Sequence, residues 1–268
     1  MPLQQFWRDD AMPYVESRRA QQSRACYRAH SHPTLSIGAV DAGASLLQVA
    51  GRVEQPLQAG DVVVIPANCM HACNPQPGGA WSYQMLYLDT AWLDALWHEA
   101  HGQVFTQGTA HTSHWRDPAR YAAFCQLNQL LFSPSPVEMK EESLIAFVSE
   151  LMLPAGAAAD SRPAWLPALC AQLREQCDQP WPVASLAASV GVSRYHFIRL
   201  FRQHCGTTPH AYLLDSRIQR ARQWLREGYG LADLAYRLGF SDQSHFQHAF
   251  RERVAATPGE YQRGIGKA

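Results

Sequence analysis

A short segment that occurs twice limits the possible folds of this chain more than any other feature of its sequence. Residues 186–193 read LAASVGVS and residues 234–241 read LAYRLGFS, an offset of 48 residues. In each copy the pattern predicts a short apolar helix that ends at glycine, followed by a serine that begins a second helix. A short helix, a tight turn and a second helix form a helix-turn-helix unit. The sequence therefore predicts two such units in an all-helical C-terminal domain.

The second helix of each unit is predicted to have a buried face and an outward face. Apolar residues recur at three- and four-residue steps on the buried face, namely Phe197, Leu200, Phe201, Phe246, Ala249 and Phe250. The outward positions carry side chains suited to base edges or phosphates: Arg194, Tyr195, Ile198, Arg199 and Arg202 in the first copy and Asp242, Gln243, Ser244, His245, Gln247 and His248 in the second. We therefore predict that these outward residues bind double-stranded DNA. The alternative is a helical bundle that binds no nucleic acid, which two spaced copies of the unit disfavour.

The net charge of the chain is zero, but its two halves carry opposite charge. Residues 163–268 hold 13 Lys and Arg against 8 Asp and Glu, whereas residues 1–162 hold 10 against 15. Between the two units, an amphipathic helix is predicted to offer further cations to phosphates or to surface pairs: Arg217, Arg220 and Arg222. A basic half favours a polyanionic partner. An excess of this size also fits two ordinary domains that differ by chance, so charge alone leaves both interpretations open.

The residues of the C-terminal domain resemble a known family. The segments that carry the resemblance are 186–193 (LAASVGVS), 197–209 (FIRLFRQHCGTTP), 217–221 (RIQRA), 239–246 (GFSDQSHF) and 257–261 (TPGEY). Residues 165–264 are similar to the DNA-binding domain of the AraC/XylS family of transcriptional regulators. The resemblance implies that the helix after each serine enters the major groove and that RNA polymerase is a partner. His248 departs from the family pattern, in which arginine is frequent at this position, and Val254-Ala255 replaces the usual Phe-Gly.

The N-terminal part of the chain has strand signals up to about residue 90 and helical spacing after it. Short β-branched or aromatic runs that lie between glycines predict strands at residues 35–40, 45–49, 61–65 and 81–88. Such strands predict a compact antiparallel sandwich or barrel. Apolar residues at helical steps predict two helices between residues 115 and 153, separated by the prolines at 134 and 136.

Length and composition predict two domains. A chain of 268 residues exceeds one typical core, and the alanine- and proline-rich residues 154–164 read as a linker. The predicted fold class is therefore α+β. Residues 1–153 form a cupin-like β-barrel with two helices, and residues 165–268 form the all-α double helix-turn-helix domain.

Three histidines are candidate ligands of a metal or of a small molecule. The segment from Gly60 to His71, together with His30-Ser31-His32, resembles the two motifs of the cupin superfamily, a small jelly-roll-like barrel. His30 and His32 project from one face of a strand, so with His71 they are able to hold Zn²⁺, Ni²⁺ or Fe²⁺. The acidic residue that metal-binding cupins carry after the first motif is missing. Metal ligands, polar contacts to an organic effector, and purely structural histidines therefore stay open as alternatives.

Aromatic residues on the last predicted strand form one face, on which Trp81, Tyr83 and Tyr87 alternate with other side chains. This face either lines an effector pocket or belongs to the barrel core. Cys69 and Cys73 are candidates for additional ligands or redox-sensitive thiols, although buried cysteines more often act as small hydrophobic residues. The sequence predicts an effector site that includes His30, His32, His71, Trp81 and Tyr83.

Several classes of function lack their sequence signals. There is no phosphate loop, dinucleotide fingerprint, nucleophile elbow or zinc-protease helix. No apolar run approaches the ~18 residues of a membrane span, and the seven cysteines form no CxxC pair, so we expect a soluble, cytoplasmic protein. The enzyme alternative is a cupin-type metal-dependent oxygenase or isomerase, and it leaves the C-terminal domain without a role. A further alternative is an architectural nucleic-acid protein that receives no signal. It leaves the N-terminal barrel without a role.

The sequence as a whole predicts a transcriptional regulator that is not an enzyme and that a small molecule or a metal controls through the N-terminal barrel. The two helices between residues 115 and 153 have more apolar positions than one contact face needs. These surplus apolar positions predict that the chain forms a homodimer through the two helices. The apolar positions are Leu127, Leu130, Leu131, Leu144, Ile145, Val148 and Leu151.

Overall fold

The chain folds into two compact units, residues 1–155 and residues 156–268. The computed structural model describes residues 3–49, 54–101, 112–152 and 162–265. The strands are β1 (Leu3–Trp7), β2 (Val15–Ser23), β3 (Leu35–Ala42), β4 (Ala44–Val49), β5 (Gln55–Gln58), β6 (Val62–Ile65), β7 (His71–Pro75), β8 (Trp81–Leu88) and β9 (Ser113–Trp115). The helices are α1 (Thr90–His101), α2 (Pro118–Leu131), α3 (Val137–Met152), α4 (Leu166–Glu175), α5 (Val183–Ser189), α6 (Arg194–Cys205), α7 (Pro209–Arg226), α8 (Leu231–Arg237), α9 (Gln243–Val254) and α10 (Pro258–Ile265). The predicted α+β class is confirmed. No described helix is both long and apolar enough to cross a membrane.

The strands of the first unit pair antiparallel in two sheets. One sheet has the order β1-β2-β8-β3-β6-β9 and the other has the order β5-β4-β7. The chain passes from the first sheet to the second at Gly43, which has a φ of +76°, and a Cβ there would overlap the carbonyl oxygen of Ala80. Both sheets contribute to a shared core of Ala20, Val40, Leu47, Leu57, Val63, Ile65, Trp81 and Tyr83. The sheets therefore face each other around the region that holds the candidate ligand cavity.

The four strands predicted between residues 35 and 88 are present as β3, β4, β6 and β8. The sequence analysis missed β2, which lies between β1 and β8. This strand reads VESRRAQQS, and its inward positions include small and polar residues such as Ser17 and Ala20. Because strands are recognised by alternating apolar residues, small residues at inward positions hide the pattern.

The two helices predicted between residues 115 and 153 are present as α2 and α3. Asp117 begins α2, and its side chain accepts a hydrogen bond of 2.9 Å from the N–H of Ala119. Helix α2 packs on α3, β3 and β8. The apolar positions predicted to form a dimer interface are mostly 5% exposed or less, namely Leu127, Leu131, Leu144, Ile145 and Val148. Packing within a single chain already covers these five side chains, and the homodimer stays a prediction.

The second unit contains both predicted helix-turn-helix units, α5–α6 and α8–α9. Gly191 and Gly239 follow the first helices with φ values of +71° and +72°, the left-handed conformation that glycine adopts without strain. Ser193 begins α6 as predicted and accepts a hydrogen bond of 3.1 Å from the N–H of His196. In the second unit Asp242, not Ser241, is the N-cap. The reason is one additional residue in the second turn, which shifts the equivalent position by one.

Arg217 of α7 holds the second unit together and is not a surface cation. It is 7% exposed, and its guanidinium donates hydrogen bonds to the carbonyl oxygens of Cys177 at 2.7 Å, Gly239 at 2.8 Å and Gln179 at 3.2 Å. The prediction that Arg217 is available to phosphates is therefore wrong. A buried guanidinium satisfies three backbone acceptors and fixes the turn of the second helix-turn-helix unit against the segment after α4.

Candidate DNA interface and ligand cavity

Helix α9 presents a polar face opposite its buried stripe. Phe246, Ala249 and Phe250 are at most 2% exposed, and Asp242 fixes the start of the helix by accepting a hydrogen bond of 2.7 Å from the N–H of His245. The exposed side chains that share the opposite face are Ser244, Gln247, His248 and Arg251. Their spacing of three, four and seven residues places them in one row along the helix. This row presents a hydroxyl, an amide, an imidazole and a guanidinium to one side.

The other residues predicted at this interface lie around that row. Gln243 is exposed in the first turn of α9. His245 is half-buried, and its ring lies edge-on against Phe240 with the centroids 5.2 Å apart. Asp242 has its carboxylate engaged by the N–H of His245 and by the hydroxyl of Ser241 at 3.0 Å. Those hydrogen bonds hold the pKa of Asp242 below its usual value, so it is an anionic helix cap and a poor phosphate contact.

Sequence reasoning missed Arg251, which lies one turn beyond Gln247 and His248 on the same face. The signal was available in the sequence, because Arg251 follows Gln247 by four residues and His248 by three. Cations near the end of a recognition helix are suited to the phosphate backbone, which supplies much of the affinity for DNA. His248 is paired with Glu252, with Nε2 and Oε1 3.2 Å apart, so its imidazole already has an anionic neighbour.

Helix α6 differs from the prediction at two positions. Tyr195 and Ile198 are 1% and 0% exposed, so the expectation that they are outward in this structure is wrong. The surfaces of both side chains are largely apolar, and burial removes them from water. Arg194, Arg199 and Arg202 are partly exposed, and a guanidinium nitrogen of Arg199 lies 3.2 Å from Nδ1 of His196.

The first unit contains a cavity of about 230 Å³ between its sheets. Alternate residues of β8 form one wall, and two of them, Trp81 and Tyr83, also belong to the barrel core, so both alternatives that the sequence left open describe this face. The rings of Trp81 and Tyr83 stack with their centroids 4.1 Å apart, and both side chains are about 5% exposed or less. The lining residues are Arg18, Tyr27, His30, His32, Gly38, Ala39, Val40, Leu57, Val63, Ile65, His71, Cys73, Trp81, Tyr83, Met85 and Tyr87.

The three predicted histidines come together at this cavity. A backbone bridge pairs His30 with His71, and the ligand atoms of His30, His32 and His71 lie within 4.8 Å of one another. Nδ1 of His30 lies 2.8 Å from the carbonyl oxygen of Arg28, and Nδ1 of His71 lies 2.9 Å from that of Cys69. A carbonyl oxygen only accepts, so these two rings carry the proton on Nδ1 and leave Nε2 as an acceptor or ligand atom.

Two imidazoles of the cluster, His32 and His71, have lowered pKa values. Burial lowers the pKa of His32, and the neighbouring His71 and His30 lower it further. Burial also lowers the pKa of His71, against a hydrogen bond to the carbonyl of Cys69 that raises it. A neutral imidazole is the form that coordinates a metal. Three nitrogens around Zn²⁺ at ~2.1 Å lie about 3.4 Å apart, so the nitrogens of this cluster, which lie within 4.8 Å of one another, have to move closer together to hold such an ion.

The two cysteines near the cavity occupy different places. Cys73 lines the cavity, and burial raises the pKa of its thiol to about 12. The thiol is therefore protonated at neutral pH, which makes it a poor nucleophile and a poor metal ligand. Sγ of Cys69 lies 3.9 Å from the hydroxyl of Thr112.

Sequence reasoning also missed Arg18, whose guanidinium lies at the cavity among aromatic rings. Its Nη2 donates a hydrogen bond of 2.9 Å to the hydroxyl of Tyr27. The signal was obscured because Arg18 lies in β2, the strand that the sequence pattern did not indicate.

Comparisons with known proteins match both units. A family model described as an AraC-like ligand binding domain matches residues 13–153, which is more than half of the chain. The chain belongs to the AraC family. A second model, described as a helix-turn-helix domain, matches residues 186–264, the region of both repeated units of this AraC-family chain.

Relatives of the AraC-family chain are named as transcriptional regulators. It is 38% identical over 101 residues to the RCS-specific HTH-type transcriptional activator RclR of Escherichia coli (strain K12), a match that covers 37% of this chain and 36% of RclR. It is 23% identical over 242 residues to the uncharacterized HTH-type transcriptional regulator YbfI of Bacillus subtilis (strain 168), covering 87% and 86%. Among solved structures, ToxT from Vibrio cholerae O395 matches with a TM-score of 0.36 and 12% identity, covering 99% of each chain.

Proposed function

We propose that this AraC-family chain binds specific DNA sequences through α6 and α9 and regulates transcription. The observation that supports the proposal is the polar face of α9, where Ser244, Gln247, His248 and Arg251 are exposed opposite the buried phenylalanines. An amide side chain reads adenine through two hydrogen bonds, and a guanidinium holds phosphate or guanine. In α6 the corresponding contacts come from Arg194, Arg199 and Arg202.

Replacement of one base-reading residue tests this proposal. A DNA site is first selected from a random pool with the full chain, and binding is then measured against every single-base variant of that site. Gln247→Ala is expected to cost about 1 to 3 kcal/mol on the selected site and to remove discrimination at one base pair. Gln219→Ala makes the same change at an exposed position of α7 and is expected to leave the profile unchanged. Equal profiles for wild type and Gln247→Ala would contradict a base-reading role.

The cavity of the first unit is the proposed signal input. A ligand changes DNA affinity only when it binds the DNA-competent and the DNA-incompetent states unequally. The cavity has aromatic and aliphatic walls with a few polar groups, the usual composition of small-molecule sites. A small organic effector and a divalent metal at His30, His32 and His71 are the two proposed inputs.

The metal input predicts that the three histidines act together. His30→Ala, His32→Ala and His71→Ala are each expected to lower the affinity for Zn²⁺, Ni²⁺ or Fe²⁺ by at least about tenfold, because each removes one of three ligands. The measurement is metal content after purification, together with titration of the metal-free chain. His98→Ala, an exposed histidine of α1, is the control. A wild-type chain that neither contains nor takes up these ions refutes the metal input and leaves the organic effector.

The remaining assignments belong to the same proposal. We propose that the regulator acts in the cytoplasm, where it meets DNA and RNA polymerase, and that it is a homodimer through a surface other than the buried apolar positions of α2 and α3. Its domains are proposed to be residues 1–153 and 165–268, joined by a linker at 154–164.

A further inference from the structure

We infer that the effector of this chain is a small carboxylic acid with an aromatic or apolar body, and that Arg18 binds its carboxylate. The inference rests on the proposed function of the cavity as the effector site. It adds the chemical class of the ligand and the residue that recognises it.

Among the described residues, no carboxylate forms an ion pair with Arg18. Its guanidinium carbon lies 5.3 Å from the ring centre of Phe6, 5.6 Å from that of Tyr83 and 5.9 Å from that of Tyr27. Aromatic faces attract a cation, but they do not neutralise it or accept its hydrogen bonds in the plane of the guanidinium.

Two buried donors at the cavity have no hydrogen-bond partner among the described residues. They are Nε of Arg18 and the indole N–H of Trp81, and both residues line the cavity. Most buried polar atoms in proteins are hydrogen-bonded, so unpaired donors mark a place where an acceptor binds. A carboxylate accepts hydrogen bonds from such donors, and the hydrogen bond from a cationic donor is the stronger kind.

The rest of the cavity contains no competing charge. Its lining residues include no Asp or Glu, so no carboxylate of the lining neutralises Arg18. A cationic ligand would be repelled by Arg18. A neutral ligand would leave a partly buried charge without compensation, which is unfavourable.

The walls define the body of the ligand. The stacked rings of Trp81 and Tyr83 belong to one buried cluster with the aliphatic side chains of Leu57, Val63 and Ile65, and all five residues line the cavity. An apolar cavity of about 150 Å³ is large enough for benzene, so about 230 Å³ accommodates one ring with a short carboxylate arm. Benzoate, phenylacetate and 3-phenylpropionate are suitable probes.

The experiment compares these three acids with their primary amides, which have the same shape and no charge. Binding to the full chain is measured by isothermal titration calorimetry at pH 7. The acids are expected to bind the wild type about 10- to 100-fold more tightly than the amides, as a charge-assisted hydrogen bond predicts. Arg18→Gln is expected to abolish that difference. Arg24→Gln removes the same charge from an exposed position of the same unit and is expected to preserve it.

Arg18→Lys is a second variant, which keeps the charge if Arg18→Gln fails to fold. Lysine lacks the planar fork of arginine, so the preference for acids is expected to fall to an intermediate value. Three results overturn the inference: amides that bind the wild type as well as acids, a preference for acids that survives in both Arg18 variants, or no binding of any probe. Binding of the same wild-type sample to its selected DNA site, measured without probes, distinguishes failure of this inference from failure of the DNA-binding proposal.

Discussion

At the scale of single residues, Asp61 connects β9 to the turn before β6. It is 1% exposed, and its carboxylate accepts hydrogen bonds from Arg116 at 2.9 and 3.2 Å and from the N–H of Gln58 at 2.9 Å. Nε2 of His114 lies 3.0 Å from it. Burial raises the pKa of Asp61, but the hydrogen bonds from Arg116, Gln58 and His114 outweigh burial and hold the pKa below its ordinary value.

A lowered pKa in the folded chain makes the contribution of Asp61 to stability depend on pH. The stabilisation is complete above the pKa of an unfolded Asp, about 3.9, and is lost as the pH falls through the lower folded value. Asp61→Asn is therefore expected to lower the free energy of unfolding by about 2 kcal/mol at pH 7 and by progressively less below pH ~4. Urea unfolding at a series of pH values measures this difference. Asp10→Asn, at an exposed carboxylate, is the control, and a pH-independent effect of Asp61→Asn would refute the account.

Sequence reasoning identified some site residues and missed others for definite physical reasons. His30, His32 and His71 were predictable from the histidine motifs. The prediction that His30 and His32 lie on a strand is wrong, because His30 forms only an isolated backbone bridge with His71 and His32 lies outside the described strands. Arg18 was not predictable, because its strand shows no apolar alternation. Burial of Tyr195 was not predictable either. The spacing of apolar residues shows which face of a single helix is outward, but it does not show which neighbouring elements of the folded chain cover that face.

At the scale of elements, the two helix-turn-helix units differ in how closely their turns are packed. Gly239 has a φ of +72°, and a Cβ there would lie 2.6 Å from the carbonyl oxygen of Asp178 and 3.0 Å from a guanidinium nitrogen of Arg217. Gly191 has nearly the same φ, +71°, with no atom within 4 Å of such a Cβ. The repeat in the sequence predicts the backbone of both turns but not this difference, which depends on Arg217.

The same substitution in both turns is expected to have unequal effects. Gly191→Ala is expected to cost about 1 kcal/mol, the penalty of a left-handed alanine. Gly239→Ala adds a steric overlap with backbone and is expected to cost about 3 kcal/mol. Scanning calorimetry of the full chain measures the unfolding temperature of the second unit in each variant. Equal losses would show that Arg217 and the segment after α4 do not constrain the second turn.

At the scale of the whole molecule, the two units carry opposite charge and different chemistry. The second unit is basic and exposes a polar face on α9, and the first is acidic and surrounds a cavity that Arg18 lines. Family membership and the division into two units were predictable from sequence, because the repeat lies wholly in one unit and the strand pattern wholly in the other. The proposed ligand class was not, because it is inferred from side chains of several strands that meet only in the folded cavity.

The central claim is that the two helix-turn-helix units read two separate segments of one DNA site. The most direct measurement is the base-by-base affinity profile of the selected site for the wild type, Arg199→Ala and Gln247→Ala. The account predicts two clusters of discriminated base pairs about one helical turn apart. Arg199→Ala is predicted to flatten one cluster, and Gln247→Ala the other. A single cluster that both variants flatten, or profiles that neither variant changes, would contradict the account.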